Sequence, residues 1–410
     1  MLSVEEARAK VIEVVTAKAG KCPPKTETVE FARDPSQALG RILAENIVAD
    51  RNYPPFDRSI RDGFALRASD VMQPGVKLKL VGESRAGVAF SGAVEPGQCV
   101  RILTGAALPR GTNTVLMQEY AREEGDSVIF EQVARPGQHY VHAGAEARVG
   151  EVVVTKGTRI SYAELAMAAE VGRVRAQVIR RPRVAILSTG DEVVEVDQKP
   201  GPFQIRNSNT ISLSAQVALS GGEPVPLENA RDDMAELRAK IEQGLTSDLL
   251  LLSGGMSVGK YDLAETALRE LDAEFFFDAV ALRPGKPAVF GWCKGKPVLG
   301  LPGNPVSTMV TFELFAVPVI ELLACYKPQP LPFFKARLSH AIDEKAGVAH
   351  YLPARVSWPN GEPHVELMLW EGSGDIGAVV RGNCFVRVDQ PRLHLEAGEW
   401  VDVLPRRGSF

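Results

Sequence analysis

The alternation of hydrophobic and polar positions changes rhythm several times along the chain. Val4, Ala7, Val11, Val14 and Val15 recur at helical spacing, which predicts an amphipathic helix over 4–17 with Ser3 and Glu6 as a capping box. Asp34 to Ala49 reads as a capped entry, a short helix or turn, and then a strand. Between Lys77 and Val115, short apolar runs punctuated by glycine and proline predict a small β-rich domain. Ser161 to Val171 is alanine-rich, and Glu164 stands where a second capping box would place it. After the basic linker Arg180, Arg181, Pro182 and Arg183 the rhythm becomes strand and helix in alternation, over Val184–Leu187, Ile211–Leu219, Leu249–Leu252, Leu263–Leu271 and Phe275–Val280. That is the pattern of an α/β domain. Leu249 to Leu252 carry no polar alternation, which predicts a strand covered on both faces in a mostly parallel sheet. Pro305 suits the first turn of a broadly apolar helix, in which Pro318 predicts a kink or an early end. Past the linker PQPLP, runs such as HVELMLW and CFVRV predict a final small β domain.

Ligands of such α/β sheets bind beyond the carboxyl ends of the strands, and polar signals recur there: STGDE, SGGMSVGKYD, RPGKP and GLPGNP. Gly254, Gly255 and Gly259 allow a tight turn that exposes backbone N–H groups to an anion at a helix N-terminus. Asp262 beside them suits magnesium shared with phosphate oxygens, or it is simply the N-cap of a βα turn. Asp191, Glu192, Asp232, Asp233 and Asp262, with the cations Arg283 and Lys286, point to phosphoanhydride chemistry. The alternative is a set of solvated loop charges, above all for Asp232 and Asp233. Earlier, YPPFDRSIRDGFA sets Asp57 and Asp62 around a short basic segment, and Thr104 lies where a strand gives way to a turn. Its hydroxyl either faces a ligand or caps backbone.

Composition narrows the classes. A chain of 410 residues has room for several cores. The net charge of −4 gives no basic stripe for nucleic acid. Five scattered cysteines without a CxxC pair suit free, buried thiols in a reducing compartment. No run approaches a membrane span, and the acidic, amphipathic start is unlike a signal peptide, so no membrane partner and a cytoplasmic protein are expected. The absence of HExxH, GxSxG and Walker A patterns argues against a zinc site, a serine hydrolase and a P-loop NTPase.

Taken together, PPFDRSIRDGFA, RILTGA, LSTGDEV, LLLLSGGMSVGKYD, RPGKP and GLPGNPVS resemble the MoeA/gephyrin E family of molybdopterin molybdenumtransferases. The resemblance implies a discontinuous helical domain (1–50 and 138–180), an inserted β-rich domain (51–137), a MogA-like, doubly wound α/β domain (181–327) and a C-terminal β-barrel (328–410). It implies insertion of molybdate, as substrate, into adenylylated molybdopterin, with magnesium-dependent release of AMP. Carried over by motif, Glu192, Asp232 and Asp262 lie around the metal and phosphoanhydride, with Glu192 and Asp262 as magnesium ligands. Lys286 faces the nucleotide phosphates, Gly254, Gly255 and Ser257 form the cradle, and Arg283, Pro302, Gly303, Asn304 and Ser373 line the substrate site. A homodimer is implied, with Asp62 and Thr104 reaching the partner's cleft. Further partners are a molybdopterin adenylyltransferase and molybdoenzyme chaperones. Where the family commonly reads PPFDNSAMDGYA, this chain carries Arg58, Ile60, Arg61 and Phe64; Glu146 stands where Asp is frequent and Arg283 where Lys is frequent. Those departures leave open a tungstate-using or non-catalytic paralogue, or a gephyrin-type scaffold, which is expected to add a long linker and a second enzymatic domain.

Overall fold

The computed structural model describes residues 1–19, 23–255, 263–343, 347–389 and 394–409. It divides into two compact units: residues 29–39 with 43–176, and residues 1–28, 40–42 and 177–410.

The smaller unit is built on a six-stranded sheet in the order Thr114–Met117, Gly63–Leu66, Gln98–Ile102, Val76–Ser84, Ser127–Phe130, Ala121–Glu124. Gly63–Leu66 is buried along its whole length. Phe64 and Leu66 enter one core with Leu116 and Phe130, and Ala65 enters another with Ile102 and Val115. Successive side chains of a strand point to opposite faces, so a short apolar strand serves both. The helix Tyr162–Glu170 begins at a capping box formed by Ser161 and Glu164.

In the larger unit the central sheet runs Glu223–Pro226, Arg183–Ser188, Leu249–Ser253, Lys296–Leu301, Val289–Cys293, Glu274–Phe277. The first four strands are parallel, and Val289–Cys293 runs antiparallel to both of its neighbours. Leu249 and Leu251 enter the core on one face, Leu250 and Leu252 that on the other. All four are fully buried, each stabilising the fold by roughly 1.5–3 kcal/mol. The helices Ser208–Leu219 and Met234–Gly244 cover opposite faces of this sheet. The helix Val4–Ala19 buries Val4, Ala7, Val11, Val14 and Val15, and Ser3 and Glu6 exchange their cap bonds at 2.8 and 3.2 Å.

The C-terminal strands close a five-stranded barrel. Ala349–Ser357 pairs with both His364–Leu367 and Cys384–Val388, and Trp400–Pro405 joins Cys384–Val388 to Phe334–Leu338, which returns to His364–Leu367. The short strand Leu282–Arg283 pairs with Ala349 and His350, which ties the RPGKP loop to the barrel.

Three expectations need correction. Of the two outcomes expected at Pro318 the early end does not occur: a π-helical turn over Phe312–Ala316 precedes it and the helix runs on to Leu323. The wider turn changes the hydrogen-bond register just where proline lacks its N–H. That helix, Pro305–Leu323, is also apolar and long enough to cross a bilayer, with mean hydropathy 1.7, but 83% of the window is buried in the fold, so its apolar length belongs to the core. Cys325 is exposed, unlike Cys99, Cys293 and Cys384.

Candidate active site

The strand order reverses between Arg183–Ser188 and Leu249–Ser253. From the first the chain crosses to Glu223–Pro226 on one side, and from there to Leu249–Ser253 on the other. A crevice opens at such a point because successive crossovers leave in opposite directions. Here the two loops are joined by the Thr189 N–H, which donates to the Ser253 carbonyl at 3.1 Å. Gly254 and Gly255 follow with φ of 90° and 63°. A Cβ at Gly254 would stand 2.8 Å from the Thr189 carbonyl oxygen, so only glycine fits the turn. Gly254 N–H donates to the Leu301 carbonyl at 3.3 Å, and a Cβ on Gly303 would meet the Gly254 Cα at 3.5 Å. The two glycine loops therefore lie side by side at the carboxyl end of the sheet's two central strands.

Pro302, Gly303 and Asn304 lead into the helix that starts at Pro305. Asn304, its N-cap, donates its side-chain amide to Ser373 Oγ at 2.8 Å, while Val306 N–H donates to the Ser373 carbonyl at 3.0 Å. Ser373 is thus held by the helix start, satisfying a donor that would otherwise lack an intrahelical partner. These loops frame a cleft of about 660 Å3, lined by Arg283, Lys286, Pro302, Asn304, Glu371 and Ser373 among others. That volume falls within the range of small-molecule sites. Arg283 and Lys286 are both exposed, and neither forms an ion pair with a described residue, in contrast to the many paired surface cations. Two unpaired cations beside a helix N-terminus make the cleft attractive to anions.

Carboxylates gather beyond the neighbouring strands. Asp232 N–H donates to Asp191 Oδ1 at 3.1 Å. Partial burial, then the charges of Asp191 and Glu192, push the Asp232 carboxyl above its usual range. Asp233 does not share this role, for its side chain accepts from Glu236 N–H at 2.9 Å and caps the helix Met234–Gly244. Among the described residues no group of three His, Cys, Asp or Glu has the arrangement of a self-contained metal centre. Magnesium seldom asks for one, since it takes one or two carboxylates and completes its shell with water and phosphate oxygens. Acceptor-only carboxylates whose charges repel one another fit that demand. Ser257, Gly259 and Asp262 lie outside the described residues.

Asp62 and Thr104 belong to the smaller unit, where they meet. The Thr104 N–H and hydroxyl both donate to Asp62 Oδ1, at 2.6 and 2.8 Å, and these bonds hold the carboxyl below its usual range. Nearby in sequence, Arg58 pairs with Glu146 at 2.8 Å. Arg61 is exposed and has no ion pair among the described residues.

Three residues about the larger unit's site were not singled out in the sequence, Asn209, Trp370 and Glu371, and Thr189 stood out only as part of STGDE. Trp370 and Glu371 line the cleft. Asn209 lies in the first turn of Ser208–Leu219, capped by Asn207, which accepts from Thr210 N–H at 3.1 Å. The run Asn207, Ser208, Asn209, Thr210 ahead of an apolar helix is the signal that marks this N-terminus.

A doubly wound α/β domain whose cation-bearing cleft opens beyond the carboxyl end of Lys296–Leu301, in a chain that also carries a closed β-barrel and a β-rich unit, defines the class: a multidomain α/β and β protein. Family models match nearly the whole chain: the MoeA N-terminal region (domain I and II) over 2–172, the probable molybdopterin binding domain over 185–322, and the MoeA C-terminal region (domain IV) over 335–405. The chain belongs to the MoeA family. A relative from Haemophilus influenzae, named molybdopterin molybdenumtransferase, is 32% identical over 99% of this chain and 98% of its own length. One of the same name from a Nostoc species is 37% identical over 74% of this chain and 71% of its own. The solved MoeA protein of Pyrococcus horikoshii superimposes with a TM-score of 0.78 at 31% identity, covering 98% of this chain and 99% of that one.

Proposed function

We propose that this protein is a molybdopterin molybdenumtransferase, which inserts molybdate into adenylylated molybdopterin and releases AMP. The observation that carries the reading is the cleft in which Arg283 and Lys286, unpaired among the described residues, face the loop that pins Ser373. In this reading the Gly255 N–H, next to the Gly254 N–H that the Leu301 carbonyl already engages, donates to a phosphate oxygen, as backbone donors at strand-to-helix turns do. Lys286 and Arg283 neutralise the phosphoanhydride and the charge that grows on the departing AMP phosphate, and a preorganised cation placed there favours the transition state over the ground state. Glu192 and Asp262 would hold magnesium, which when bound supplies further positive charge to the bridging phosphates. Asp62 and Thr104 act from a second copy of the chain, whose presence makes the working form a homodimer. An adenylyltransferase must supply the activated pterin, and a molybdoenzyme or its chaperone must receive the product.

Incubation of the purified protein with adenylylated molybdopterin, magnesium and molybdate tests this. AMP release that depends on molybdate supports the reading, and preference for tungstate in a parallel incubation would make the protein the altered-metal member of its family. Tight binding of the substrate with no AMP released would instead assign it a non-catalytic or scaffolding role.

A further inference from the structure

The two glycine loops lie side by side beyond the sheet, and one side chain joins them. Asn209 Nδ2 donates to Ser253 Oγ at 2.8 Å and to the Gly303 carbonyl at 2.7 Å. Ser253 immediately precedes the Gly254–Gly255 turn, and Gly303 is the centre of the Pro302–Asn304 loop. A primary amide nitrogen carries two N–H groups, so this one is fully engaged by the two loops. Asn209 Oδ1 is buried without a partner among the described residues, which means the carboxamide is held from its donor side only. The bridge also spans the place where a Cβ on Gly303 would meet the Gly254 Cα at 3.5 Å. Asn209 itself is fixed by its place in the first turn of a twelve-residue helix whose buried Leu213 and Val217 sit in the core. A rigid element thus reaches across to both loops at once.

We infer that Asn209 is a positioning residue of the site. It sets the separation between the glycine turn and the Pro302–Asn304 loop, so that a nucleotide phosphate laid across them meets both sets of groups. This rests on the proposed function, because the separation matters only if a phosphate spans it. Small errors in placement weaken binding and reaction together when groups must converge on one ligand. An asparagine serving the fold alone would lower stability when removed and leave ligand affinity untouched.

The experiment measures the affinity of AMP with magnesium by calorimetry, alongside thermal unfolding, in the parent and in Asn209→Ala, Asn209→Asp and Ser253→Ala. Asn209→Ala is expected to weaken AMP binding about tenfold, equivalent to about 1.4 kcal/mol. Asn209→Asp keeps the size but loses both donors and is expected to fail in the same way. Ser253→Ala removes one anchor and should weaken binding by a smaller factor, with no added loss when combined with Asn209→Ala, since the two changes break one connection. Parental affinity in Asn209→Ala, while the parent binds AMP and releases it from substrate, overturns the inference and leaves the functional reading intact. A parent that neither binds AMP nor releases it overturns the functional reading itself. Should Asn209→Ala fail to fold, Ser253→Ala decides the matter: weakened AMP binding at unchanged unfolding temperature supports the role, and parental binding refutes it.

Discussion

Arg58 has a partner that no local pattern reveals, because Glu146 lies 88 residues away in the sequence. Read from the sequence, Arg58 and Arg61 look alike; in the structure only Arg61 keeps a charge unpaired among the described residues. Both members of the Arg58–Glu146 pair are more than a third exposed, so the pair contributes little, about 1 kcal/mol at most. Arg61→Met is therefore expected to raise the half-saturation for molybdate or substrate and to flatten its salt dependence, whereas Arg58→Asn changes neither. Equal effects of the two changes in a salt series would contradict this division of roles. The same limit separates Asp232 from Asp233. Adjacent acids look equivalent in a sequence, and only the helix that begins beside Asp233 makes it a cap. Gly254, Gly255 and the Pro302–Asn304 run were legible because glycine and proline act through the backbone, whose demands are local.

Elements were most legible where burial is complete. Leu249–Ser253 stands out as an unbroken apolar run, and the helix Val4–Ala19 because its apolar residues follow one period. Glu223–Pro226 was missed, since a four-residue edge strand with two prolines carries no such period. The helix Met234–Gly244 was missed as well, with only Leu237, Ile241 and Gly244 buried on its sheet-facing side. At the glycine turn, Gly254→Ala would force a side chain to a φ of 90° and against the Thr189 carbonyl, so it is expected to destabilise the protein by about 1–3 kcal/mol in a denaturant titration. Parental stability would show that the turn relaxes freely. Beside the barrel, His394 joins the two-stranded ribbon formed by Ile342–Asp343 and His394–Leu395, with Asp343 at 2.7 Å on Nδ1 and Glu396 at 3.0 Å on Nε2. Both carboxylates raise the imidazole above its ordinary value of 6.5. A raised cationic group stabilises the fold fully below its unfolded pKa, and the gain disappears as pH rises through the folded pKa. His394→Gln should therefore lower the unfolding temperature near about pH 5.5 and not near about pH 9. An equal deficit at both values would rule out this ion-pair contribution.

For the whole molecule, the sequence rhythm separates an α/β region from β-rich regions before and after it, and the order of motifs points to one family. What no rhythm contains is which residues converge on a site from distant segments, as Asn304 and Ser373 do across 69 positions. If the working form is a dimer with shared sites, a mixture of Asp62→Asn and Lys286→Met proteins, after subunit exchange, should regain activity, because one hybrid site escapes both changes. No recovery after demonstrated exchange would mean that each site is complete within one chain. The central claim is that the cations of the cleft serve a phosphoanhydride and not the fold. It is tested most directly by measuring AMP release from adenylylated molybdopterin by Lys286→Met, beside its stability in denaturant. The expected result is a rate reduced at least about 100-fold, as for removal of a preorganised charge, with stability within about 0.5 kcal/mol of the parent; AMP release at the parental rate would contradict the claim.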